Sequence, residues 1–143
     1  MSNHDVEVCC NYISLVYRKF WQCIIRDLKE LNLTENQYIS LVGIYNNEGT
    51  NQSFLSSILA LDPGTMSKNL RTLEDCGYIY KVVDESNRRN FKIHLTKEGY
   101  KITKESLEVK EKILQKVFLN LKEQDVKTLN ILLGMIKETI DVD

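Results

Sequence analysis

Asp62-Pro63-Gly64-Thr65-Met66-Ser67-Lys68-Asn69-Leu70-Arg71-Thr72-Leu73-Glu74-Asp75-Cys76-Gly77 carries a start signal, a buried stripe and a stop signal for one helix. Asp62 is suited to accept from the free amides of a first turn, and Pro63 lacks an N–H just where one would go unsatisfied. Met66, Leu70 and Leu73 recur at steps of four and three, the spacing of one helical face. Gly77 stands where a left-handed residue ends a helix without steric cost. The pattern predicts a helix from Pro63 to about Cys76, whose polar side offers Thr65, Ser67, Lys68, Asn69, Arg71 and Thr72.

Upstream, Asn51 to Asp62 reads as a short helix with Phe54, Leu55, Ile58, Leu59 and Leu61 directed inward. Before it, Thr34 and Gln37 form a capping box that opens a helix burying Tyr38, Leu41, Val42, Ile44 and Tyr45, closed by the turn Asn46-Asn47-Glu48-Gly49. Downstream the period changes. Tyr78 to Val83 is β-prone, Asp84 to Asn90 is short and polar, and Phe91-Lys92-Ile93-His94-Leu95 alternates, which predicts a β-hairpin. Two helices across a tight turn followed by a hairpin make a winged helix-turn-helix over 33–95. The expected fold class is α+β, mainly α.

In such units the second helix enters the major groove with its early residues near base edges. Hydroxyls, amides and Arg71 suit that work, and arginine can grip guanine through two hydrogen bonds. The candidate DNA-binding residues on this helix are Thr65, Ser67, Lys68, Asn69 and Arg71, with Lys68 suited to a phosphate or a base. In the hairpin they are Lys81, Arg88, Arg89 and Lys92. Adjacent arginines on an exposed turn can follow a backbone or enter a minor groove; equally, such a turn can be a solvated tip, or one arginine can bridge Asp84. From Gly64 to Leu95 six cations (Lys68, Arg71, Lys81, Arg88, Arg89, Lys92) face four anions (Glu74, Asp75, Asp84, Glu85), a mildly basic stretch in a chain of formal charge -1.

The rest of the composition narrows the classes. The chain has 143 residues, 43% of them hydrophobic, enough for one domain with a core. The near balance of 19 Lys plus Arg against 20 Asp plus Glu rules out a protein coated in positive charge. Cys9, Cys10, Cys23 and Cys76 form no Cys-x-x-Cys pair, which argues against a disulfide framework or a metal site and fits a reducing, cytoplasmic setting. The start has no signal-peptide pattern, and no apolar run is long enough for a membrane partner. His4 and His94 have no acid, cysteine or serine constellation around them, so no enzyme and no cofactor are implied.

Long helices are expected at both ends, over 5–31 and 97–141. The first carries Val6, Cys9, Cys10, Ile13, Val16, Tyr17, Phe20, Ile24, Leu28 and Leu31 at helical spacing. The last carries Val126, Leu129, Ile131, Leu132, Leu133, Ile136 and Ile140. They exceed what the central lobe needs. Pairing of two copies would set the recognition helices one turn of B-DNA apart, to meet a palindrome; the alternative is that these helices close the core of their own chain.

Taken in order, Leu61 to Lys68, Leu73 to Ile79, Asp84-Glu85-Ser86-Asn87-Arg88-Arg89 and Leu95-Thr96-Lys97-Glu98-Gly99 resemble the MarR family of bacterial and archaeal regulators, and the likeness extends over nearly all of 1–143, read as a single domain. The resemblance implies a homodimer that binds double-stranded DNA with a pseudo-palindromic operator, usually as a repressor, and that is released by a small lipophilic or phenolic effector. The family's wing aspartate and arginine fall on Asp84 and Arg89, while Asn87 replaces the usual acid. Tyr12, Phe20, Ile24 and Tyr38 are the candidate effector pocket, although aromatics at this spacing also serve as core. An oxidant-sensing branch of the family places its cysteine where Cys10 falls, with Cys9 beside it; Ser14, Ile24 and Glu35 stand where that branch has thiol-bonding tyrosines. A protein-protein adaptor built on the same scaffold is the competing reading.

Overall fold

A computed structural model describes residues 2–140. Residue 1 and residues 141–143, the outer limits of the expected single domain and of the last expected helical region, lie outside the described residues. The order is α1 (Asn3–Leu28), a 3-10 turn (Lys29–Leu31), α2 (Glu35–Asn46), α3 (Gln52–Leu59), α4 (Pro63–Asp75), β1 (Ile79–Val83), β2 (Phe91–Leu95), α5 (Lys97–Val117) and α6 (Glu123–Ile140). Contacts group the chain into two units, residues 1–110 and 111–143.

In the first unit each junction satisfies the free amides of a helix start. Asn32 turns left-handed (φ 54°) after the 3-10 turn, and Thr34 then closes the full capping box with Gln37. Asn51 Oδ1 accepts from the Phe54 amide at 2.8 Å, and Asp62 Oδ1 accepts from the Thr65 amide at 2.9 Å. Each such cap is worth about 1 kcal/mol. Gly77 takes φ +75°, so the α4 stop is where the sequence sets it.

The core of this unit is Ile24, Leu28, Leu41, Ile44, Leu55, Met66, Leu70, Leu73, Ile79 and Ile93. Gly43 lets α3 lie close on α2, since a Cβ there would sit 3.1 Å from Leu59 Cδ1 and 3.2 Å from Leu55 Cδ2. One expectation fails. Phe54 and Ile58 are 45% and 46% exposed rather than inward, because Leu55 and Leu59 hold the α2 side of an eight-residue helix and Phe54 and Ile58, four apart, share another face.

The hairpin pairs Ile79 with Leu95 through to Val83 with Phe91. Directly paired residues share a face, so Ile79, Lys81, Val83, Phe91, Ile93 and Leu95 lie on one side and Tyr80, Val82, Lys92 and His94 on the other. A third segment, unforeseen from sequence, adds to β2: Ile93 N donates to Thr50 O (2.7 Å) and Gly49 N to Ile93 O (3.0 Å).

Entry into α5 depends on closeness. Thr96 donates its amide to Tyr78 O (3.0 Å) and its hydroxyl to Gly77 O (2.5 Å), and its hydroxyl accepts from Gly99 N (3.0 Å). A Cβ on Gly99 would run into the Tyr78 carbonyl oxygen. Farther along, the face that α5 buries includes two hydroxyls: Thr103 and Ser106 are fully enclosed, and return their hydroxyl protons to Gly99 O and Thr103 O, both at 2.7 Å. The local bonds remove the cost of enclosing them.

The second unit holds the end of α5 and all of α6. Ile113 is buried, whereas α6 has no buried residue. Leu129, Leu132, Leu133, Ile136 and Ile140 form an exposed apolar stripe along it.

Two stability predictions follow from these junctions. Gly99→Ala should cost more than about 2 kcal/mol in urea unfolding, because the Tyr78 backbone cannot yield as a flexible side chain would; an unchanged midpoint would refute the close approach. The Asp62 carboxyl is held below its ordinary 3.8, first by the Thr65 hydroxyl and then by the Thr65 amide. A lowered acid stabilises the fold above its unfolded value, so wild type should exceed Asp62→Ala fully at neutral pH. That advantage should fade as pH falls below 3.8, read as the pH dependence of the two urea midpoints.

Candidate nucleic-acid interface

The rotation of α4 decides which of its side chains can meet a ligand. With Met66, Leu70 and Leu73 buried, the opposite ridge is Gly64, Lys68, Arg71 and Asp75, spaced four, three and four apart and all exposed. Neither Lys68 nor Arg71 has an ion-pair partner among the described residues, so both cations face solvent unneutralised.

The remaining predicted residues of α4 divide. Thr65 is half-buried and gives its hydroxyl proton to Asp62 Oδ2, the helix cap, at 2.5 Å, so while that bond holds the hydroxyl can only accept. Ser67 is half-exposed beside the ridge. Asn69 is half-buried: position 69 lies three after Met66 and four before Leu73, at the edge of the buried stripe, and its Nδ2 is shielded with no hydrogen-bond partner among the described residues. Thr72 is occupied as well, its hydroxyl donating back to Lys68 O at 3.0 Å.

The wing separates its cations. Lys81 and Lys92 belong to opposite faces of the hairpin. Lys81 Nζ is 3.5 Å from Glu74 Oε2, a partly exposed pair worth at most about 1 kcal/mol that a stronger anion can displace. Lys81 and Arg89 both line a cleft of about 350 Å³ between the wing and the starts of α3 and α4, together with Asn51, Ser53, Pro63 and Phe91. Arg88 is exposed and lies outside that lining.

The tip itself is held without ion pairs. Asp84 Oδ1 accepts from the Ser86 amide (3.0 Å) and hydroxyl (2.7 Å), while Asn87 Oδ1 accepts from the Arg89 amide (3.3 Å). The expected alternative, an arginine bridging Asp84, does not occur: no carboxylate lies within ion-pair distance of Arg88 or Arg89 among the described residues. The Ser86 hydroxyl and amide, with a smaller pull from Lys92, hold the Asp84 carboxyl below its ordinary range and keep it charged. Asn87, read as a departure from a usual acid, does the turn-closing work with its amide oxygen.

The predicted effector residues only partly gather. Ile24 and Tyr38 are buried and Phe20 is half-buried. The residue that joins them is Trp21, overlooked in the sequence, with ring centroids 6.2 Å from Phe20 and 6.3 Å from Tyr38, both edge-on. Tyr12 is 64% exposed and stands three helical turns before Ile24, about 18 Å along α1, so it lines no common wall with them in one chain. The Tyr38 hydroxyl is enclosed without a partner, and burial raises its pKa above the ordinary phenol value. Cys9 and Cys10 are both exposed on α1, not in a core. Among the described residues, no His, Cys, Asp or Glu cluster could hold a metal ion, and no helix is long and apolar enough to cross a membrane.

Residues 33–91 match the sequence profile of the MarR family. The HTH-type transcriptional regulator SarZ of Staphylococcus aureus is 31% identical over 80% of this chain and 76% of its own length. Among solved structures, a MarR transcriptional regulator from Methanosarcina mazei Go1 superposes with a TM-score of 0.82 at 25% identity, covering 96% of this chain and 99% of that one. A mutant MarR from E. coli, crystallised with operator DNA, shares the fold at a TM-score of 0.81 and 22% identity, covering 92% and 95%. With its capped recognition helix, its hairpin and a close relative along most of its length, the chain belongs to the MarR family, whose members regulate transcription and are not enzymes.

Proposed function

We propose that this protein is a homodimeric, cytoplasmic repressor that binds a pseudo-palindromic operator in double-stranded DNA. The observation that carries the reading is the exposed, unneutralised pair Lys68 and Arg71 on the outer ridge of α4, together with two wing arginines that no carboxylate engages among the described residues. In the major groove Arg71 is suited to a guanine edge and Lys68 to a phosphate, with Ser67 beside them. Arg89 and Lys81, lining the cleft by the α3 start, are placed for a phosphate oxygen, and Arg88 for the backbone or minor groove beyond the wing. Lys92, on the opposite wing face, contributes long-range attraction rather than a contact shared with Lys81. The E. coli protein of the same fold, crystallised with operator DNA, supports DNA as the partner.

The dimer reading rests on apolar surface left uncovered in one chain. Val6, Ile13, Val16 and Tyr17 of α1 are 40–61% exposed, and Leu132, Ile136 and Ile140 of α6 are 47–69% exposed. A partner copy would take these faces out of water, at about 25 cal/mol per Å². Two copies related by a twofold axis would present their α4 helices about 34–36 Å apart, one turn of B-DNA. Release by a small phenolic or lipophilic compound is supported by the partnerless Tyr38 hydroxyl beside Trp21, a donor such a compound could engage. Oxidation at Cys10, with Cys9 adjacent, by a peroxide-class oxidant is a second means of release, since both thiols lie on the α1 stripe that a partner copy would cover and an oxidised sulfur there would disturb that contact.

Two measurements test this. Operator fragments selected from random DNA should bind with a steep salt dependence, and Lys68→Ala or the Arg88→Ala, Arg89→Ala pair should lower the log–log slope by about one per lost phosphate contact; Arg71→Ala should in addition relax preference at one base position. Unchanged affinity and slope in all of these variants would refute the interface. Leu132→Asp with Ile136→Asp should convert the protein to monomer in sedimentation equilibrium and abolish tight operator binding, and an unaltered mass would refute the α6 pairing.

A further inference from the structure

The wing joins the helical body through one contact that neither the DNA-facing residues nor the hydrophobic core includes. Glu48, in the turn after α2, places Oε1 3.0 Å from His94 Nδ1 and 3.2 Å from the amide of Leu95. The backbone geometry explains why a carboxylate is there. Ile93 N points away from β1 to Thr50 O (2.7 Å), and Leu95 N, two residues on, points the same way. No backbone carbonyl of the third segment accepts from it among the described hydrogen bonds. Glu48 Oε1 takes that place and extends the ladder by one acceptor.

The His94 ring is fixed on three sides. Tyr80, its cross-strand partner, stacks on it with centroids 5.3 Å apart and planes at 21°. Gly49, at φ +80°, passes close enough that a Cβ there would be 3.3 Å from His94 Cε1. Glu48 closes the third side. A carboxylate only accepts, so the ring carries its proton on Nδ1.

We infer that Glu48 and His94 are positioning residues for DNA binding, setting the angle at which the wing presents Arg88 and Arg89. The inference rests on the wing contacts proposed above. The hairpin is two five-residue strands, and its arginines sit at the far end from His94, so a small rotation at the base becomes a large displacement at the tip. The pair acts through that orientation and touches no DNA.

Isosteric variants separate the bond from the bulk. His94→Asn keeps an N–H where Nδ1 stands and Glu48→Gln keeps an acceptor, whereas His94→Gln places its amide nitrogen near the Nε2 position and Glu48→Ala removes the acceptor. Binding to the selected operator fragment is measured as a function of salt for all four, beside the Arg88→Ala, Arg89→Ala pair, with thermal melting as a control on folding. The expected result is near wild-type affinity and slope for His94→Asn and Glu48→Gln. For His94→Gln and Glu48→Ala, affinity should fall about tenfold and the slope by about one to two contacts, approaching the double arginine variant. Should His94→Gln or Glu48→Ala fail to fold, Glu48→Asp, whose shorter side chain draws the carboxylate back from Leu95 N and His94 Nδ1, takes their place; amide hydrogen exchange should then quicken at Leu95 and at Arg88 to Asn90, and faster exchange at Leu95 with unchanged exchange at the tip overturns the inference. It is also overturned if His94→Gln and Glu48→Ala bind as wild type while the double arginine variant is weakened. If the double arginine variant itself binds as wild type, the wing contacts proposed above fail, and this inference fails with them.

Discussion

Burial of Met66, Leu70 and Leu73 fixes the rotation of α4 about its axis, and whatever this protein offers a DNA groove follows from it. Each of these side chains contributes about 1.5–3 kcal/mol when removed from water. Turning the helix by one residue's angle would expose part of that stripe and press Lys68 or Arg71 toward the core, where an unpaired charge costs more than the stripe gains. The same constraint shields the Asn69 amide nitrogen at the edge of the stripe and leaves Lys68 and Arg71 on the outward face. The caps at Asn51 and Asp62 then determine where α3 and α4 begin, so the rotation and the axial position of the recognition helix have separate causes.

The wing is built on another principle. Its tip is held by Ser86 and Asn87 hydrogen bonds rather than by arginine–carboxylate pairs, which keeps the guanidinium groups out of the folding balance. A cation that contributes nothing to internal stability loses no internal partner when it meets a phosphate. Attachment is concentrated at the base, in Ile79, Ile93, the Thr50 bridge and the Glu48 carboxylate. Lys81 lies between the two arrangements, paired with Glu74 but beside Arg89 in the cleft.

The terminal helices show how similar sequence patterns meet different ends. In α1 the stripe is buried at Ile24 and Leu28 and exposed from Val6 to Tyr17, while in α6 none of it is buried. Helical periodicity marks a face that avoids water and carries no record of which surface covers it. The α5 helix reverses the lesson, since Thr103 and Ser106 are enclosed although polar, because each hydroxyl finds a carbonyl one turn back.

What the sequence determined by itself is the set of local decisions. The capping box at Thr34 and Gln37, the Asp62-Pro63 start, the left-handed Gly77 and the change of period at Tyr78 act within a few residues, and each stands where the sequence reading put it. The half-burial of Asn69 was legible in its spacing to Met66 and Leu73, which the polar character of its side chain concealed. What only the tertiary structure decided are the pairings between distant segments: Thr50 with Ile93, Gly99 against Tyr78, Trp21 against Tyr38, and Glu48 with His94 across 46 positions. The reason is physical. Caps and turns satisfy backbone groups from neighbouring side chains, whereas an unpaired strand amide or a glycine-sized gap is met by whichever segment the packed core brings to it.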